Sequence, residues 1–225
     1  MGSFDKLTTL NYISNHKVVP VFYDPDIEIV KKITESCYKG GIKILEFTNR
    51  GDFAWEVFKE LELFCRKNFP GMILGTGSIV DSTLADLYMS LGSNFIVGPV
   101  TNSEVAKACN RKQIPYIPGC LTPTEISLAQ ELGCDVVKIF PADSIGGPSF
   151  VKSVMAPMPW IKIMPTGGVD TNPDSLKKWF NSGVFAVGMG SKLFTKEIIS
   201  DQNWELLTKN CKKLSETIKI LSKEN

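Results

Sequence analysis

Eight short apolar runs rich in β-branched residues alternate with longer amphipathic stretches along this chain, and nothing else in it limits the fold so tightly. The runs are 18–23, 42–47, 72–75, 94–97, 115–118, 135–140, 161–165 and 184–188. Between them lie helix-like segments such as 26–38, where Ile29, Val30, Ile33 and Cys37 share a face. Segments 81–91, 122–132 and 171–181 each begin with an Asp or Thr suited to an N-cap. The last segment places Trp204, Leu207, Cys211, Leu214, Ile218 and Leu221 at alternating spacings of three and four, an amphipathic helix. Strand-then-helix units about 20 to 25 residues long suit a (β/α)₈ TIM barrel, although a doubly wound open sheet has the same alternation. The count of eight and the lack of a long linker favour the closed barrel, with 1–225 as one domain.

Composition narrows function mainly by exclusion. The 225 residues carry a formal charge of +1 and are 43% hydrophobic, enough for a full core. Near-neutrality gives no electrostatic case for nucleic acid or an anionic membrane. No apolar run reaches membrane-spanning length, and the first residues show no signal-peptide core. Gly2 does not make a myristoylation motif, because Lys6 stands where Ser or Thr is needed. Cys37, Cys65, Cys109, Cys120, Cys134 and Cys211 are scattered without a C-x-x-C pair, the usage of reduced core cysteines. His16 is the only histidine, so a histidine-rich zinc site is excluded, and no Asp/Glu cluster suggests magnesium. The expectation is a cytoplasmic protein using neither metal nor cofactor.

Chemistry is concentrated where charges interrupt apolar runs. Lys138 lies within Val136–Phe140, an otherwise apolar strand. Lysine is seldom buried unless paired or used. Desolvation favours the neutral amine, a nucleophile toward ketones. The plain alternative is a strand-end lysine snorkelling to water, and Lys43 and Lys162 are lysines of that kind. Glu46 similarly interrupts Ile44-Leu45 and Phe47; it is either a proton carrier or half of a structural pair with Arg50 or Lys138. Strand parity puts Ile44 with Glu46 and Val136 with Lys138 and Phe140. If those parities face the interior, amine and carboxylate meet in one apolar cavity. Barrel active sites lie at the carboxyl ends of strands, which also selects Arg50, the Gly75-Thr76-Gly77-Ser78 turn, Pro99, Pro165-Thr166-Gly167-Gly168 and Gly188-Met189-Gly190-Ser191. Arg50 offers a two-point grip on a carboxylate or phosphate, or else a surface salt bridge. Glycines after the seventh and eighth strands suit a phosphate held by backbone N–H groups. Gly75-Thr76-Gly77 lacks the third glycine of a dinucleotide fingerprint, since Val80 stands there.

These segments together resemble the 2-keto-3-deoxy-6-phosphogluconate (KDPG) aldolase family, which also includes 4-hydroxy-2-oxoglutarate aldolases. The likeness runs from about Val18 to Leu193 through Leu45-Glu46-Phe47-Thr48-Asn49-Arg50, Gly75-Thr76-Gly77-Ser78, Ile117-Pro118-Gly119, Lys138-Ile139-Phe140-Pro141-Ala142, Pro165-Thr166-Gly167-Gly168-Val169 and Gly190-Ser191. It implies a (β/α)₈ barrel, commonly a homotrimer, acting on a phosphorylated keto sugar acid and pyruvate through a metal-free Schiff base. By the same likeness Lys138 is the imine-forming residue and Glu46 the proton carrier. Arg50 would bind the substrate carboxylate, with Ser78 beside it, while Pro99 and Phe140 line the pyruvyl pocket. Thr166 would face the sugar-acid hydroxyls, and Gly167, Gly168, Gly190 and Ser191 the phosphate. The chain departs from the family pattern at Ser78 (usually threonine), at Asn49, Gly51 and Asp52, and at Lys192 (often tryptophan). These departures bear on the aldehyde partner rather than on the catalytic groups.

Overall fold

The computed structural model describes residues 2–222. Parallel strands β1 (Val18–Phe22), β2 (Ile44–Thr48), β3 (Ile73–Gly77), β4 (Ile96–Val97), β5 (Tyr116–Ile117) and β9 (Val187–Met189) form one curled sheet in the order β5-β4-β3-β2-β1-β9. Strands β6 (Gly119–Cys120), β7 (Val137–Ile139) and β8 (Ile163–Pro165) form a second, in the order β6-β7-β8. Each expected run holds or overlaps a strand, with three corrections. The fifth run is split at Pro118, which has no N–H to give a ladder; its carbonyl still accepts the Lys138 N–H at 2.8 Å. The last strand lies later than 184–188, at Val187–Met189. The third strand runs past the expected end at Gly75 through Thr76 and Gly77, which were expected in a turn, for a reason given by the site.

Ten α-helices among the described residues surround these strands, and their starts follow local chemistry. Asp26, Asp81 and Asn102 accept N–H groups at the heads of α2 (Ile27–Lys39), α4 (Ser82–Ser90) and α5 (Ser103–Arg111). Thr122 and Glu125 form a reciprocal capping box on α6 (Pro123–Glu131). At α8 (Pro173–Asn181) the cap is Asn172 rather than the expected Thr171. Pro173 fits the first helical position, where its missing N–H costs nothing, and that sets the cap one residue before it. The terminal amphipathic segment is α10 (Trp204–Leu221), packed on α2 with Cys211 Sγ 3.8 Å from Cys37 Sγ.

Apolar side chains divide into two layers. Outward-facing strand residues such as Leu45, Phe47, Leu74 and Ile139 pack under the helices. Their inward neighbours form a separate inner cluster: Val19, Ile44, Ile73, Val97, Ile117, Val136, Met164 and Ala186, one from nearly every strand run, together with Phe95. Ile13, fully buried on α1 (Lys6–His16), completes this cluster. Periodicity did not announce α1, since Thr9 and Ile13 are its only buried residues. Truncating Ile13 to alanine would cost about 2–5 kcal/mol, the usual range for a closely packed core aliphatic.

Candidate active site

Two residues along each strand from the inner cluster, toward the carboxyl end, the lining changes character. Above Ile44 stands Glu46, above Val136 stands Lys138, above Met164 stands Thr166, and above Ala186 stands Gly188. The structure thus brings together the two charges that interrupt the apolar runs. Lys138 Nζ lies 3.5 Å from Glu46 Oε1. Lys138 is 6% exposed and Glu46 0%. Lys43 and Lys162, by contrast, are exposed. Lys138 Nζ also lies 5.3 Å from the centre of the half-buried Phe140 ring.

Neither Glu46 oxygen has a hydrogen-bond partner among the described residues, and the buried Thr166 Oγ1 has none either. Buried polar atoms are normally satisfied, and leaving one unpaired costs about 1–3 kcal/mol. One of these atoms, Glu46 Oε1, faces the Lys138 amine.

Glycines make the room. A Cβ on Gly77 would collide with Glu46 Oε1, and one on Gly75 with the Phe95 ring. A Cβ on Gly188 would strike Thr166 Oγ1. Sequence reasoning ended the strand at Gly75 and began a turn there; both Gly75 and Gly77 are strand residues whose missing side chains admit Phe95 and Glu46 to the interior. Their alternation with Thr76, at period two, was the available signal.

The remaining candidates ring the mouth. Arg50 is exposed, its Nε 3.4 Å from Ser78 Oγ. Ser78 has a positive φ of 62°, an uncommon left-handed backbone for a non-glycine residue. The Pro99 carbonyl packs against Gly119, next to Pro118 and opposite Lys138 in the β6–β7 register. Gly167 and Gly168 have φ of 95° and 73°, a backbone accessible mainly to glycine, and Gly168 lies against Asp143. Gly190 and Ser191 follow β9, where the N–H groups of Leu193 and Phe194 donate to the Gly190 carbonyl at 2.9 and 3.1 Å. Thr166 bridges Gly188 in parallel register, drawing the ends of β8 and β9 together.

Cys120 is buried in β6 beside Thr101 Oγ1, and burial pushes its thiol up to about 11, so it fills space and is not a nucleophile at neutral pH. Among the described residues no three His, Cys, Asp or Glu side chains are placed to hold a metal ion. No helix among them is long and apolar enough to cross a membrane.

Known proteins resemble this chain over most of its length. The 2-dehydro-3-deoxy-phosphogluconate aldolase of Haemophilus influenzae is 27% identical over 203 residues, covering 90% of this chain and 93% of the relative. That of Zymomonas mobilis is 31% identical over 172 residues, covering 76% and 79%. Among solved structures, KDPG aldolase from Legionella pneumophila, with pyruvate captured as a covalent carbinolamine, superposes with a TM-score of 0.82 at 26% identity. That match covers 91% of this chain and 97% of the other. The family model for KDPG and KHG aldolase matches residues 10–210, and the chain belongs to that family.

Proposed function

We propose that this chain is a class I aldolase, cleaving 2-dehydro-3-deoxy-6-phosphogluconate to pyruvate and D-glyceraldehyde 3-phosphate. The observation that carries this reading is the buried Lys138–Glu46 pair, 3.5 Å apart, with both carboxylate oxygens lacking a hydrogen-bond partner among the described residues. Lys138 Nζ adds to the C2 ketone, and Glu46 moves the protons that let the carbinolamine lose water. The resulting protonated imine accepts the electron pair of the C3–C4 bond. Glu46, through a water, takes the C4 hydroxyl proton as that bond breaks and the aldehyde departs. A proton returned to C3 of the enamine, then hydrolysis, frees pyruvate and the amine. Covalent catalysis divides one difficult step into easier ones. Arg50 and Ser78 hold the substrate carboxylate, Pro99 and Phe140 flank the pyruvyl carbons, and Thr166 meets the hydroxyls. Gly167, Gly168, Gly190 and Ser191 hold the phosphate, so the scissile bond is fixed between two anchors.

The scaffold in this reading is one (β/α)₈ barrel domain. Its support is that each end of the β6-β7-β8 sheet meets the other sheet, through residues 116–120 on one side and the Phe185 N–H to Ile163 carbonyl bond, 2.8 Å, on the other. A homotrimer is part of the proposal. Exposed Phe53, Val80, Val100 and Leu121 sit in loops after β2, β3, β4 and β6, an apolar arc on the mouth side suited to self-association. Cytoplasmic location fits six free, buried cysteines.

The test is borohydride trapping with labelled pyruvate followed by peptide mapping: label on Lys138 is expected, and label elsewhere or none defeats the reading. The rival substrate is 4-hydroxy-2-oxoglutarate, giving pyruvate and glyoxylate. It has no phosphate, so relative kcat/KM separates the two; a galactonate-configured substrate is separated in the same way.

A further inference from the structure

The turn after β8 and the turn after β9 are joined by an ion pair that neither needs for its own shape. Lys192 Nζ lies 3.6 Å from Asp170 Oδ2, with side chains 58% and 40% exposed. The other Asp170 oxygen accepts the Asn172 N–H at 2.9 Å, part of the entry into α8. The backbone turn carrying Lys192 is held separately by the two bonds to the Gly190 carbonyl. The ammonium can therefore leave Asp170 without loosening either turn. At 3.6 Å the contact exceeds hydrogen-bond length, and exposed pairs of this kind contribute only about 0–1 kcal/mol.

Carboxylates crowd the glycine pair beside it. Asp143 packs directly against Gly168, with its Oδ1 accepting the Ser144 N–H at 3.0 Å, and Asp170 lies two residues beyond. Two negative charges flanking Gly167 and Gly168 repel an incoming anion unless a cation turns toward it. A phosphate dianion is a stronger partner for an ammonium than a single carboxylate already bonded to backbone.

We propose that Lys192 is a specificity-determining residue: it exchanges Asp170 for the phosphate of the substrate, so that the chain selects phosphorylated over unphosphorylated 2-keto acids. The inference rests on the reading of the two turns as the phosphate site.

The test measures kcat and KM of the full chain for 2-dehydro-3-deoxy-6-phosphogluconate and for 4-hydroxy-2-oxoglutarate, and compares the ratio of the two kcat/KM values among variants. Lys192→Met should lower that ratio about fivefold, through KM rather than kcat. Lys192→Arg should restore most of it. Asp170→Asn, which frees the ammonium while keeping the bond to Asn172, should raise it about twofold. The methionine effect should shrink as ionic strength rises from about 0.02 to about 0.5 M. A ratio unchanged in Lys192→Met, or equal losses on both substrates, overturns the inference. Borohydride trapping of pyruvate on the unaltered chain separates the two levels: trapping with an unchanged ratio removes the role of Lys192 alone, whereas no trapping removes the site reading and this inference with it.

Discussion

Glu46 and Glu62 are both buried carboxylates beside a cation, yet they belong to regions with opposite demands. Glu62, on α3 (Ala54–Asn68), meets Arg66 Nε one helical turn later at 2.7 Å, a short charge-assisted bond with half-exposed guanidinium. Burial still raises its pKa, and Arg66 only partly offsets this. Glu46, in the strand interior, stands 3.5 Å from Lys138 and accepts no hydrogen bond among the described residues. Glu62 is satisfied within its own helix, whereas Glu46 depends on a residue of another strand for its close cation. Burial alone therefore does not separate these two carboxylates, and their hydrogen bonds do.

Four substitutions would break or sharpen that contrast. Lys138→Met should abolish borohydride trapping and lower kcat by at least about 10⁴-fold, as removal of a covalent nucleophile typically does. Residual turnover within tenfold of the parent would move the nucleophile elsewhere. Glu46→Gln keeps shape and neutral hydrogen bonding but carries no proton; kcat should fall about 10²–10⁴-fold, with pyruvate binding and thermal stability retained. Steady-state assay beside calorimetry reads both. Gly77→Ala, whose new methyl strikes the Glu46 carboxylate, should cost about 10²-fold in kcat by displacing that group. Full activity there would show that Glu46 has no fixed position to lose.

Glu62→Gln should leave turnover unchanged and alter only the pH dependence of stability. The folded pKa is raised, so the contribution of Glu62 is fullest below the ordinary carboxylate range and is lost as pH rises through the raised value. The glutamine variant should lack that decline, a difference of about 1 kcal/mol or less in urea unfolding between acid and neutral pH. Parallel pH profiles for parent and variant would show that Arg66 compensates burial completely.

Much of this was legible in the chain, and the parts that were not share a cause. Alternating runs located the strands because a strand buried on both faces must be apolar throughout, and Lys138 and Glu46 stood out as exceptions. Parity grouped them with Ile44 and Val136, and only the folded structure shows that this group faces inward. What periodicity could not provide was the reason for Gly75 and Gly77, since a glycine's role there depends on Phe95 and Glu46, which neighbour it only after folding. The helix α1 escaped notice because two buried residues make no stripe. Pro118 could not be read as a break within a strand, because whether its missing N–H matters depends on which strand lies alongside. The ion pair of Lys192 with Asp170 joins separate turns and has no local signature.

Ile13 gives the interior a floor. With that end stoppered, whatever reacts at Lys138 must enter and leave by a single doorway, as in a cul-de-sac. The helix that carries Ile13 thus sets the direction of traffic without belonging to the strands that carry the charged pair.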